Sequence, residues 1–155
     1  MDLISLKKEY QKYEKQFKLP SFKELNEAFE IEKIENDSDC LPRAIRKIMM
    51  DKVVNSLGFI DMLLNPVQAP RIYQSFIKNI SAEDKQLIEN LYEIFGRLSL
   101  DCMPLELDYS EKNETDMIKK IFNSWKLSKD DFKKLLTRVG NPVQNHTKKE
   151  KSYFG

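Results

Sequence analysis

One histidine stands in a chain of 155 residues, and it lies near the end, at His146. A metal site gathers several His, Cys or carboxylate ligands at short spacing, and a Ser-His-Asp relay needs its histidine inside the folded body. Neither can be assembled from this inventory, and the Glu-x-x-His pairs of a di-iron carboxylate bundle are missing too. The two cysteines, Cys40 and Cys102, are far apart and form no CxxC. No Gly-rich loop follows a strand, which removes the phosphate-cradling motifs. Charge of one sign is also lacking. The net value is +1, so there is no global pull toward nucleic acid or anionic lipid. The best apolar run, around Leu57–Leu64, is interrupted by Asp61 and falls short of the roughly 18–20 residues of a membrane span. The opening MDLISLKKEY has no apolar run of signal-peptide length, so the expected setting is cytoplasmic, with no membrane partner. No catalytic, cofactor-binding or metal-binding residue is nominated, and no cofactor is expected. Paired acids such as Glu24/Glu27 and Asp130/Asp131 read as solvated faces or helix-dipole partners, and the chain reads as a non-enzyme.

What is present is helical periodicity. With 41% hydrophobic and 33% charged residues, four Gly and six Pro, the composition is globular and leans helical. Leu3, Leu6, Tyr10, Tyr13 and Phe17 recur at steps of three and four, a one-sided helical stripe that should end before Pro20. Ser21 with Glu24 is a capping box opening a short helix with Phe22, Leu25 and Phe29. A polar break over 35–38 precedes a long central helix, about 40–64. Asp39 is its expected cap, Pro42 sits in its first turn, and Asn65-Pro66 stops it. Gly58 inside it points to close approach of a neighbouring helix. A helix over 70–79 follows, then one opened by Ser81 and Asp84 that ends or kinks near Met103, before Pro104. The last stripes predict helices over 116–126 and 129–139. The second is capped by Ser128 with Asp131 and closed by Gly140 as its C′ residue.

No alternating β-branched run and no Asn-Gly or Asp-Gly turn competes with these elements. The fold class is therefore all-α: a single helical bundle of about six helices with a long central helix and a disordered C-terminal tail. The bundle domain spans 1–140, and 141–155 form a flexible basic tail. If the helices at 40–64 and 82–103 run antiparallel, Cys40 comes near Cys102. Two reduced thiols are the expectation in a cytoplasmic protein, with a disulfide as the alternative.

Charge is unevenly placed. Residues 21–39 hold seven acids against two lysines, and residues 40–53 then bring Arg43, Arg46, Lys47 and Lys52 against Asp51. Cations in a first turn oppose the helix dipole. One reading folds Glu30, Glu32 or Glu35 back onto them. The other leaves an exposed basic edge for an acidic partner or a phosphate backbone, with Arg43, Arg46 and Lys47 as candidate partner-binding residues. A second polarity sets six acids and one lysine over 101–116 against seven basic residues and two acids over 119–138. The pair 116–126 and 129–139 has the outline of a helix-turn-helix. Lys133, Lys134 and Arg138, with the tail's Tyr153 and Phe154, are its candidate contacts for phosphates and bases.

The runs LPSFKELNEAFEIEKIE (19–35), LPRAIRKIMMDKV (41–53), LLNP (63–66) and FNSWKLSKDDFKKLL (122–136) resemble a set of small all-helical archaeal proteins with no assigned activity. The resemblance implies a helical bundle and a cytoplasmic setting, and it carries over no functional residue. The functional expectation is a non-enzymatic interaction or accessory protein. Its partner is another protein or a second copy held through the 3–17 helix. The alternative is a nucleic-acid-associated protein using 119–138 and the tail.

Overall fold

The stripes fold into six α-helices in the computed structural model, which describes residues 2–34 and 40–151, with side chains as far as Asn141. They are α1 (Leu3–Phe17), α2 (Phe22–Phe29), α3 (Leu41–Leu64), α4 (Arg71–Lys78), α5 (Ala82–Leu107) and α6 (Glu111–Lys151), with no strand among the described residues. The protein is an all-α bundle, as the periodicity predicts.

Three long helices carry the core. On α5 the buried positions are Asp84, Ile88, Leu91, Phe95, Leu98, Cys102 and Leu105, spaced alternately by four and three. Along α6, Glu114, Ile118, Ile121, Trp125, Ser128, Leu135 and Val139 are buried, with half-buried Phe132 completing the same rhythm. That seven-residue repeat keeps one seam facing its neighbours over many turns. Arg43 in the first turn of α3 reaches the Leu105 carbonyl near the end of α5, so these two run antiparallel. Lys120 meets Asp101 and Arg138 meets Asp84, which makes α5 and α6 antiparallel and leaves α3 parallel to α6.

Aromatic side chains fill the middle. Phe95 stacks on Trp125 with centroids 5.8 Å apart, and Phe29 of α2 reaches the same indole at 5.7 Å. Lys52 lies 5.2 Å from that ring and donates to the Ala28 carbonyl at 2.6 Å, fastening α2 to α3. The capping box of Ser21 and Glu24 forms as expected. Tyr10 donates to the Pro20 carbonyl at 2.5 Å and tethers α1 to the start of α2. With Leu6 and Tyr10 buried and Tyr13 and Phe17 packed on the core, most of the 3–17 stripe is used inside the molecule.

Four local expectations are corrected. The two helices predicted over 116–126 and 129–139 are one. Ser128, the expected cap, is buried 3% exposed in the interior of α6, because the seam continues from Trp125 through it to Phe132. Gly140 has no positive φ and the backbone stays helical to Lys151, so it is not a C′ residue. Pro104 lies inside α5, which continues to Leu107; in a final turn its missing N–H removes a single bond, to the Leu100 carbonyl. A Cβ built on Gly58 meets nothing within 4 Å, so no neighbouring backbone crowds it. The expected cap Asp39 lies outside the described residues. Cys40 occupies the cap position of α3 and makes no side-chain cap bond.

Two substitutions follow from these corrections. Gly58→Ala is expected to raise stability by about 1 kcal/mol, the helix-propensity difference with no steric cost, read as a higher urea midpoint. Ser128 Oγ is buried and has no hydrogen-bond partner. Ser128→Ala removes that desolvated hydroxyl and should stabilise by about 1–2 kcal/mol. A drop in melting temperature for either would show that the space or the hydroxyl is used.

Candidate functional site

The charged end of the bundle is built by three elements. Arg43 and Arg46 stand one turn apart on α3, Glu106 closes α5, and Glu114 is the first seam residue of α6. Arg46 is 2% exposed and Glu114 is fully buried. Arg46 Nε donates to Glu114 Oε2 at 2.6 Å and Nη1 to Glu106 Oε1 at 2.6 Å. Arg43 Nε donates to Glu114 Oε1 at 3.0 Å and its Nη2 to the Leu105 carbonyl at 2.7 Å. The Arg43 guanidinium also lies 5.1 Å from the Tyr109 ring. A buried carboxylate shared by two guanidiniums is neutralised within the protein, which is the condition for keeping such charges out of water.

The basic first turns of α3 are thus complemented inside the chain, but by other acids than the upstream ones. Glu30 pairs with Lys33, and Glu32 accepts from Asn26; Glu35 lies outside the described residues. Glu106 and Glu114 take their place, both from the acid-rich stretch 101–116. The sign they gave in the sequence is positional: Glu114 falls on the apolar repeat of its own helix, where a charge is buried only if it is matched.

Titration follows this geometry. Burial alone would lower the Arg46 guanidinium, yet the hydrogen bonds to Glu114 and Glu106 outweigh it and hold it above its ordinary value. The hydrogen bond from Arg46 holds Glu106 below the usual carboxylate range. Burial pushes the Cys102 thiol up to about 11 against the pull of Arg46, so it is a poor nucleophile at neutral pH. Burial first, then neighbouring Cys40, pushes Tyr109 up to about 12. Cys40 and Cys102 are both free thiols. No group of three His, Cys, Asp or Glu side chains able to hold a metal ion occurs among the described residues.

At the other end, Asp84 starts the α5 seam. Burial would raise it, but hydrogen bonds from Ser81 and Arg138, with the Arg138 charge, hold it below its ordinary value. Asp84 and Glu106 share a sign of linkage. Both are depressed in the folded state, so their stabilisation is complete above the ordinary carboxylate values, near pH 4, and drains away as pH falls through the lower folded ones. The urea midpoint should therefore be lower at about pH 3 than at about pH 6, and Glu106→Gln should flatten part of that slope. An unchanged slope would remove Glu106 from this role.

The remaining nominated residues scatter. Lys47 sits 3.7 Å from Glu106 with both side chains about half exposed. Lys134 pairs with Asp131 at 3.1 Å one turn away. Arg138 is held by Asp84 and Glu83. Lys133 is exposed, and Tyr153 and Phe154 lie outside the described residues. Of the seven basic residues over 119–138, Lys119 and Lys120 are also paired, with Asp116 and Asp101.

The chain matches no family model, no curated protein and no solved structure. Function therefore has to be read from the surface. No helix among the described residues is long and apolar enough to cross a membrane. A row of exposed apolar side chains at helical spacing lies on the outside of α5, where Tyr92, Leu100, Met103 and Leu107 are 41%, 59%, 62% and 83% exposed. An open groove of about 580 Å³ runs between this face and Leu57 of α3, floored by Gly96. The sequence pattern hid it because α5 carries two stripes, and the inner one, at a regular four-three repeat, dominates the periodicity.

Proposed function

We propose that this is a non-enzymatic interaction or accessory protein of the cytoplasm that docks a protein partner on the outer face of α5. The observation supporting it is the row Tyr92, Leu100, Met103 and Leu107, exposed on one side of a helix whose other side is fully used by the core. Soluble proteins tend to keep contiguous apolar patches small, and larger ones mark binding sites. A photo-crosslinking side chain at Leu107, introduced into the full chain in native-cell extract, tests it. Capture that disappears in a Leu100→Glu background with an unchanged unfolding midpoint supports the reading. Equal capture with and without that substitution overturns it.

A nucleic-acid reading draws on Lys126, Lys129 and Lys133, which are exposed and have no ion pair among the described residues. Three lysines make a small grip. At about three phosphate contacts the salt slope on duplex DNA would be near −2.7. A shift of mixed-sequence DNA at about 50 mM salt that fades with that slope supports this reading, and no shift removes it.

A further inference from the structure

On the outer face of α5, Gly96 lies midway between two exposed apolar side chains. Tyr92 lies four residues before it and Leu100 four after, while Glu89 and Met103 lie seven to either side. A Cβ built on Gly96 meets nothing within 4 Å, so the centre of the stripe is an open notch. Glycine at that point lets a second backbone approach closely. Two apolar side chains set equally to either side of a notch have a natural complement, which is the same pair turned end over end.

The geometry points to a second copy of this chain as the occupant of the α5 face, paired antiparallel about a two-fold axis at Gly96. In that arrangement Tyr92 packs on the partner's Leu100 and Leu100 on the partner's Tyr92. Met103 covers the aliphatic stem of the partner's Glu89. The flanking charges decide the orientation. At about 100° per residue, Glu93 and Arg97 lie about 60° and 100° round the helix from Gly96, on the same flank. Both are exposed, and neither has an ion pair among the described residues. The two-fold keeps this flank on one side of both helices. It brings Glu93 within about 3 Å, along the axis, of the partner's Arg97. Two equivalent Glu–Arg pairs then line one edge of an apolar centre. A parallel two-fold would put the two flanks on opposite sides of the interface, where neither Glu–Arg pair could form.

This proposal rests on the interaction reading of the α5 face and names its partner. The face is one helix wide, narrower than an interface of about 800 Å² per partner, so a weak, concentration-dependent dimer is expected, and sedimentation of the full chain over about 5–500 µM should resolve it. Gly96→Gln supplies a better helix former, so the fold is kept or strengthened, while the filled notch should weaken dimerisation about tenfold or more. Glu93→Arg and Arg97→Glu should each weaken it, and the two together should restore it. A single monomeric species across the whole range overturns the proposal, as does a dimer that ignores Gly96→Gln and the charge reversals. If the chain is monomeric yet crosslinking from Leu107 still depends on Leu100, the second copy fails as occupant and the wider interaction reading stands. If both fail, the face is not a docking surface.

Discussion

Glu114→Ala is expected to destabilise the protein by about 3–5 kcal/mol, the range for removing one partner of a buried ion pair. The substitution leaves Arg46, 2% exposed, without the carboxylate that accepts from its Nε, and takes from Arg43 its carboxylate partner at 3.0 Å. Against a total stability of about 5–15 kcal/mol for an ordinary domain, that loss leaves little in reserve. The companion experiment separates charge balance from packing. Arg46→Met combined with Glu114→Leu removes both buried charges, and it should lie within about 2 kcal/mol of the parent, because a matched apolar pair carries no desolvation cost. Circular dichroism against urea measures both. A loss under about 1 kcal/mol for Glu114→Ala alone would mean that water reaches the Arg46 guanidinium.

Phe95→Ala should cost a similar amount, about 3–5 kcal/mol, by a different route. Phe95 is fully buried and packs on two aromatic rings of α6, with Trp125 at 5.8 Å and Phe132 at 6.1 Å. Removing the ring opens a cavity beside the single tryptophan, whose fluorescence should shift to the red as the site loosens. The adjacent position gives the contrast. Gly96→Ala, one residue on and on the outer face, is expected to change monomer stability by no more than about 1 kcal/mol, in the stabilising direction. An unshifted tryptophan spectrum in Phe95→Ala would contradict the stacked arrangement.

The helical architecture was legible because its signals are local. The α1 stripe, the Ser21–Glu24 box and the Asn65-Pro66 stop each act within a few residues, and each appears where the spacing puts it. Errors came where a local motif met a longer rhythm. Ser128-x-x-Asp131 has the form of a helix start, yet the seam from Ile118 to Val139 runs through it unbroken, and packing outweighs a capping preference of about 1 kcal/mol. Gly58 has the look of a contact residue and is an open surface position. At the charged end, Arg43 and Arg46 were visible as anomalies in a first turn, but their partners are 60 to 71 residues further on. Nothing in the spacing of acids alone chooses Glu114 over the nearer Glu30 or Glu32. The choice is made by which helix ends share a corner of the bundle. The outer face of α5 is not legible in the sequence for a related reason: the regular four-three repeat of the inner side sets the period, and only burial tells the two sides apart.

The long separation within the charged corner has a consequence for the chain during its synthesis. Arg46 is made 60 residues before Glu106 and 68 before Glu114. At about 5–20 residues per second, that is an interval of roughly 3–14 s in which α3 exists without its counter-ions. During that time both arginines must stay hydrated, so the start of α3 cannot sink into an early hydrophobic collapse with α1 and α2. The corner closes only when the first turn of α6 arrives. A ribosome-bound chain halted before residue 114 should therefore be readily cut by protease near Arg43 and Arg46, and one released well past it should not.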